Sequence, residues 1–154
     1  MCAIRYKGDE SMDSLYCLIR EFRDAIIVAC SNREFDPKDR MSRFPNGCCD
    51  DACDLLAFYL YHAHSIQVVQ FNGAYYDDIE PENNTNHNWL KFGDCIIDIT
   101  YSQFYFKTNS QDEIYYGKEN KFYKSLDRIH SVTNYDIRSD SRLWKDYQII
   151  VSHL

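Results

Sequence analysis

Two short apolar segments at residues 87–92 and 95–100 flank the dipeptide Gly93-Asp94, which is typical of a two-residue hairpin turn. Side chains alternate along a strand, so each segment has two distinct faces. One face collects apolar residues: Leu90, Phe92, Cys95, Ile97 and Ile99. That face must be buried against other elements, which predicts an antiparallel sheet with helices packed on it, an α+β fold.

The other face of this hairpin carries a histidine and an aspartate. In the register that the turn sets, His87 opposes Thr100 and Asp98 opposes Trp89. His87 and Asp98 are then diagonal neighbours within about 7–8 Å, so the carboxylate can reach and orient the imidazole. A carboxylate flanked by two isoleucines also needs a partner when it is half buried.

Two amphipathic helices are expected ahead of the hairpin. Apolar residues recur at three- and four-residue steps over residues 11–30. A turn signal at residues 44–47 precedes a second apolar stripe through residues 47–63. A helix that begins near Asn46 places Cys49 in its first turn and on this stripe.

Cys49 has the position expected of a nucleophile. The unsatisfied N–H groups and the dipole of a helix N-terminus stabilise an anion, so a thiolate is favoured there. Asp50, Asp51 and Asp54 act in the opposite direction, because nearby negative charge raises the pKa of a thiol. A cationic histidine partner would therefore be important for stabilising the thiolate of Cys49.

The remaining elements follow from weaker patterns. We expect a strand at 66–71 that ends at Asn72-Gly73, a polar loop at 75–85, a short helix near 121–129 and a final strand at 147–151. No repeat and no linker divides the chain. Residues 1–154 are therefore predicted to form a single domain.

Four short segments follow one another in an order found in a family of cysteine enzymes. They are Gly47-Cys48-Cys49-Asp50-Asp51-Ala52-Cys53-Asp54-Leu55-Leu56, Val69-Gln70-Phe71-Asn72-Gly73, His87-Asn88-Trp89-Leu90 and Ile97-Asp98-Ile99-Thr100. With these motifs, residues 44–104 resemble the transglutaminase-like superfamily, which shares its core with papain-like cysteine proteases. The resemblance implies a papain-like arrangement with the nucleophile at a helix N-terminus.

The resemblance also implies a catalytic triad. Cys49 would be the nucleophile, His87 the general base and acid, and Asp98 the residue that orients His87. A nucleophile, a base and a group that fixes the base are the parts such catalysis needs. For the oxyanion hole, the candidates are Asn46, the backbone N–H of Cys49 and Gln103.

The function predicted from these residues is cysteine-dependent acyl transfer through a thioester on a protein or peptide substrate. Hydrolysis of an amide, by a peptidase, isopeptidase or glutamine deamidase, is favoured over transamidation by an amine. No cofactor is implied. The alternative is a catalytically silent transglutaminase-like domain that binds a protein partner.

A zinc-stabilised structural module is a third hypothesis. Cys48, Cys49 and Cys53 precede His62 and His64 on the same predicted helix. Zinc sites favour paired knuckle spacings, and here the histidines lie some three turns further along, too far to converge. We therefore expect Cys48, Cys53 and Cys95 to be structural, and the two histidines to be solvated.

Composition excludes other partners. Seventeen Lys and Arg against 24 Asp and Glu give a net charge of −7, which argues against nucleic acid and against an anionic membrane surface. No apolar stretch approaches the roughly 18 residues that span a bilayer, and no secretory signal is visible. Seven cysteines in an irregular pattern suit a reducing compartment. We expect a cytoplasmic protein, or one delivered into the cytosol of a host or target cell.

Overall fold

A five-stranded antiparallel sheet with helices packed against it makes the fold α+β. The computed structural model describes residues 10–154, with side chains from residue 14 onward. The strands are β1 (Val69–Tyr75), β2 (Thr85–Phe92), β3 (Cys95–Asp98), β4 (Tyr115–Gly117) and β5 (Asp127–Val132). They lie in the order β4-β3-β2-β1-β5.

The helices in the described residues are two long ones, a shorter C-terminal one and two single turns. They are α1 (Glu10–Ser31), α2 (Cys49–His64), α3 (Tyr105–Thr108), α4 (Lys121–Lys124) and α5 (Ser141–Val151). None of these helices has both the length and the apolar character to cross a membrane.

The predicted hairpin is confirmed in both its turn and its register. β2 and β3 pair with Leu90 opposite Ile97 and Phe92 opposite Cys95. Gly93 has a φ of 56°, in the left-handed region that a two-residue turn requires and that glycine adopts at little cost. This register carries Asp98 to the same face of the sheet as His87.

The first predicted helix is confirmed over nearly its expected length, as α1. Leu15, Ile19, Phe22 and Ile26 form its buried stripe. Ile27 belongs to the same run of apolar residues, but it is 38% exposed because it lies one residue further round the helix than Ile26. The helix therefore covers the core with a narrower face than the sequence pattern suggested.

The expectation that a strand ends at Asn72-Gly73 is wrong, because both residues lie inside β1. Gly73 is paired with His87 of β2. A β-carbon on Gly73 would lie 3.0 Å from the Trp89 ring and 3.2 Å from Leu126. The glycine is present because neighbouring side chains pack against its backbone, and no turn is needed to explain it.

The expected strand at 147–151 is also wrong, because this segment is the second half of α5. Asp140 caps the helix by accepting hydrogen bonds from the N–H groups of Arg142 and Leu143. Leu143 and Ile150 are buried two turns apart on one helical face. In the segment expected to be a helix at 121–129, only α4 is helical, and the chain then enters β5.

Both faces of the sheet are covered by packed side chains. On one face, Leu90 and Ile97 pack with α1 and α2 in the larger core. On the other face lies an aromatic core formed by Tyr75, Trp89, Tyr101, Phe104, Phe122 and Tyr123. Aromatic residues thus bury the second face of the sheet.

A cluster of charged residues anchors the N-terminal end of α2. The buried carboxylate of Asp51 accepts hydrogen bonds from Arg40 at 2.8 Å and from Arg142 of α5 at 2.9 and 3.0 Å. Arg142 also contacts the buried Asp39 at 3.2 Å. Three separate parts of the chain are therefore tied together directly beside Cys49.

We predict that Arg142→Met destabilises the protein by about 3 kcal/mol, because it leaves buried carboxylates without a counter-charge. The value is at the lower end for a broken buried ion pair since Arg40 still contacts Asp51. Lys145→Met, on an exposed position of the same helix, should change stability by less than about 0.5 kcal/mol. Urea unfolding of both variants measures the difference, and equal effects would contradict the role given to Arg142.

Candidate active site

Cys49 is the first residue of α2. The predicted start near Asn46 was too early, because residues 44–47 form the turn and Cys48 is the N-cap. The side chain of Cys48 makes no capping hydrogen bond. The expectation that Cys49 lies in the first turn is confirmed, and its side chain remains partly exposed.

The neighbouring cysteines have a different environment. Cys48 precedes the helix as its N-cap and is fully buried. Burial raises the pKa of Cys48, Cys53 and Cys95. A buried thiol with a raised pKa is a poor nucleophile, so these three cysteines have the properties of structural residues.

His87 and Asp98 form a short hydrogen bond in the interior. Nε2 of His87 lies 2.6 Å from Oδ2 of Asp98, and the two residues are 0% and 2% exposed. Tyr123 donates its hydroxyl to the same carboxylate oxygen at 2.7 Å. Thr100 donates to the other oxygen from its backbone N–H at 3.0 Å and from its hydroxyl at 3.1 Å. Asp98 is therefore held rigidly with both oxygens occupied.

The pKa values of this pair move in opposite directions. Burial alone lowers the pKa of His87, but attraction to Asp98 and hydrogen bonds with Asp98 and Cys49 raise it, to about 9 overall. Burial likewise raises the pKa of Asp98, but His87, Tyr123 and Thr100 outweigh it and lower this pKa. Both directions favour an imidazolium paired with a carboxylate.

Cys49 is among the groups that raise the pKa of His87, and Sγ of Cys49 lies 3.7 Å from Nδ2 of Asn88, the residue that follows His87. Because Nε2 is taken by Asp98, Nδ1 is the ring nitrogen left for the sulfur. The structure thus brings together Cys49, His87 and Asp98, which come from α2, β2 and β3. In a catalytic triad the nucleophile contacts the base, and the base contacts the group that orients it; a cysteine, a histidine and an aspartate in this sequence have the side chains for those three parts.

Gln103 lies beside the imidazole. Its Nε2 is 3.4 Å from Nδ1 of His87 and 3.1 Å from the hydroxyl of Thr100. Gln103 was expected as a donor to an oxyanion, and the contacts place it instead against the base. Asn46, the other side chain expected in that role, is exposed in the turn.

Asn88 is one of two polar residues at this site that were not predicted from the sequence; the other is Tyr123. Its Nδ2 donates toward Sγ of Cys49 at 3.7 Å. Side-chain alternation places Asn88 on the apolar face with Leu90, where an asparagine has to find a buried partner. A polar asparagine on an otherwise apolar strand face was the sequence signal that could have identified Asn88 as a site residue. Tyr123 was missed because it lies far along the chain, in a segment with no clear pattern.

The negative charges of the aspartates beside Cys49 are largely compensated by neighbouring arginines. Asp50 is paired with Arg40 at 3.0 Å, and Asp51 is held by Arg40 and Arg142. Burial, with Asp50 and Asp51 as neighbours, raises the pKa of Asp54 to about 7. The three aspartates therefore place less negative charge near the sulfur than their sequence suggests.

Aromatic rings shield the imidazole from water. Phe104 contacts His87 edge to face, with ring centroids 4.6 Å apart, and Trp89 stacks on it at 5.8 Å. A low-dielectric environment of this kind strengthens the interaction between His87 and Asp98.

No set of three or more His, Cys, Asp or Glu residues in the described part of the chain is arranged to hold a metal ion. His62 and His64 are exposed at the C-terminal end of α2. Comparisons with known proteins returned no match to any protein-family model, curated protein or solved structure. A function can therefore be inferred only from the geometry of the site.

The raised pKa of His87 predicts how its contribution to stability depends on pH. A group whose pKa is higher in the folded state stabilises the fold fully below its ordinary value of 6.5, and this contribution is lost as the pH rises through about 9. The difference in unfolding free energy between the wild type and His87→Gln should therefore shrink by on the order of 3 kcal/mol from pH 6 to pH 10. Urea unfolding across that range tests this, and a constant or growing difference would contradict it.

Proposed function

We propose that this protein is a cysteine-dependent acyl-transfer enzyme of the papain-like and transglutaminase-like kind. Cys49 is the nucleophile, His87 is the general base and acid, and Asp98 orients His87. The observation that carries the proposal is the buried 2.6 Å bond between His87 and Asp98, with Cys49 interacting with the same imidazole. Cys49 is also partly exposed, so a substrate can reach it.

The proposed reaction has two steps. The sulfur of Cys49, as a thiolate beside the imidazolium of His87, attacks the carbonyl carbon of an amide, and the carbonyl π electrons move to oxygen. Collapse of this intermediate breaks the C–N bond, and the imidazolium gives its proton to the departing amine, which leaves a thioester. His87 then removes a proton from water, and the hydroxide adds to the thioester carbonyl. The C–S bond breaks, the carboxylic acid leaves, and the sulfur of Cys49 remains as a thiolate beside the imidazolium.

The contacts around His87 suit this role. Asp98 holds Nε2 of His87, which restricts rotation of the ring and leaves Nδ1 as the nitrogen that can exchange a proton with Cys49 or the substrate. Thr100 and Tyr123 in turn fix Asp98. A base that is positioned before the substrate arrives contributes more to the rate than one that must reorganise.

Hydrolysis is the favoured outcome, with an amide in a protein or peptide as the substrate. The thioester would form on a partly exposed cysteine, where water can reach it. An amine that competed successfully with water would give transamidation by the same steps. Substrates of this class need no metal or organic cofactor for the chemistry that the three residues supply.

One observation favours a second function, a catalytically silent domain that binds a protein partner. The imidazole of His87 is 0% exposed, and Gln103 lies against its Nδ1. A proton transfer to a leaving group requires the substrate to approach that nitrogen. If the imidazole stays covered in solution, the buried pair is a structural element and Cys49 is unreactive.

The two functions predict different reactivity of Cys49. In the acyl-transfer enzyme, p-nitrophenyl acetate should acetylate Cys49 in preference to the other cysteines near neutral pH, as peptide mapping by mass spectrometry would show. His87→Ala should slow this reaction by about 10²–10⁴-fold because the general base is lost. Cys48→Ala, at the adjacent buried cysteine, serves as the control and should leave the rate nearly unchanged.

Slow acetylation spread over several cysteines, unaffected by His87→Ala, would reject the enzyme. Capture of a protein partner by the unmodified chain would then be the next experiment.

A further inference from the structure

We propose that Asn88 is a further catalytic residue, whose side-chain amide donates a hydrogen bond to the oxyanion that forms when Cys49 attacks a carbonyl. Asn72 acts as a positioning residue that holds this amide. The proposal rests on the proposed acyl transfer at Cys49. Asn88 belongs to β2, and Asn72 belongs to the neighbouring strand β1.

The strand geometry directs Asn88 toward the helix that carries Cys49. Asn88 follows His87 directly, so the two side chains leave β2 on opposite faces. Leu90, on the same face as Asn88, packs in the core with residues of α2. His87 and Asn88 therefore approach the sulfur from two sides of the strand, and Nδ2 of Asn88 lies 3.7 Å from Sγ of Cys49.

Asn72 determines which end of the Asn88 amide faces the sulfur. The two residues are directly paired across β1 and β2. Nδ2 of Asn72 donates to Oδ1 of Asn88 at 3.2 Å and to the backbone oxygen of His87 at 3.4 Å. Since the oxygen of Asn88 is occupied by this donor, its NH₂ group is the end that remains for Cys49.

Burial makes this arrangement costly unless the amide has its partners. Asn88 is only 8% exposed. An amide placed there without hydrogen bonds would destabilise the fold, so its contacts with Asn72 and Cys49 explain why the position can be polar. The chain of amides from the half-buried Asn72 through the buried Asn88 ends at the sulfur of Cys49.

The geometry suits an oxyanion better than the resting sulfur. Donors in oxyanion holes lie about 2.7–3.1 Å from the position of the charged oxygen. At 3.7 Å, Asn88 makes a long contact with the sulfur, and an oxygen on the carbon that Cys49 attacks can lie between them. The backbone N–H of Cys49 supplies a second donor, because the first N–H groups of a helix have no intrahelical acceptor.

Two reagents separate stabilisation of an oxyanion from activation of the sulfur. Iodoacetamide reacts with Cys49 at a saturated carbon, displaces iodide and forms no oxyanion. p-Nitrophenyl acetate reacts at a carbonyl carbon, so a negative oxygen develops before p-nitrophenolate leaves. Both rates are measured at Cys49 of the full chain by peptide mapping, with Cys49→Ala as the blank.

We expect Asn88→Ala to slow acetylation by about 10²–10³-fold while alkylation changes by less than about threefold. Asn88→Asp keeps the volume and the contact with Asn72 but removes the donor, so acetylation should fall at least as far. Asn72→Ala should have a smaller effect of the same kind. Asn86→Ala, at an exposed position on the same face of β2, is the matched control and should change neither rate.

Each outcome has a separate meaning. If acetylation and alkylation fall together in the Asn88 variants, Asn88 acts on the sulfur and the oxyanion role is wrong. Rates that stay at the wild-type level in Asn88→Asp also overturn it. If wild type and Cys49→Ala are acetylated equally, the proposed acyl transfer itself fails, and the role of Asn88 fails with it.

Discussion

The short hydrogen bond between His87 and Asp98 is the interaction on which the site depends. Two strands are joined by it across the turn at Gly93, and both side chains are withdrawn from water. A buried pair of this kind is stable only when its remaining hydrogen-bonding groups are satisfied. Thr100 and Tyr123 do this for Asp98, and the aromatic core around them excludes the water that would weaken the attraction.

The candidate site lies between elements that bury the two faces of the sheet. The helices cover one face, and their packing brings Cys49, at the N-terminus of α2, to Asn88 of β2. Arg40 and Arg142 hold that N-terminus through the buried Asp51. The aromatic core covers the other face and encloses His87. Cys49 and His87 meet where the two layers adjoin, so the geometry of the site is determined by the packing of both.

Features of the fold that depend only on residues close together in the sequence could be predicted from it. The turn at Gly93-Asp94 sets the register of the hairpin, and with it the meeting of His87 and Asp98. The segment at 147–151 was wrongly predicted as a strand because four of its five residues are aromatic or β-branched, which strands favour. The helical spacing becomes visible only over the longer segment from Asp140 onward. Contacts between distant segments, such as Asn88 with Cys49, depend on how α2 packs on the sheet, which no local pattern specifies.

Nitrogen-15 NMR of His87 reports the charge of the imidazole that Asp98 holds in the site. We expect both ring nitrogens to carry protons at pH 7 and one proton to be lost only near pH 9, because Asp98 stabilises the imidazolium. Asp98→Asn should move that transition to lower pH. A neutral imidazole at pH 7 in the wild type, unaffected by Asp98→Asn, would contradict this expectation.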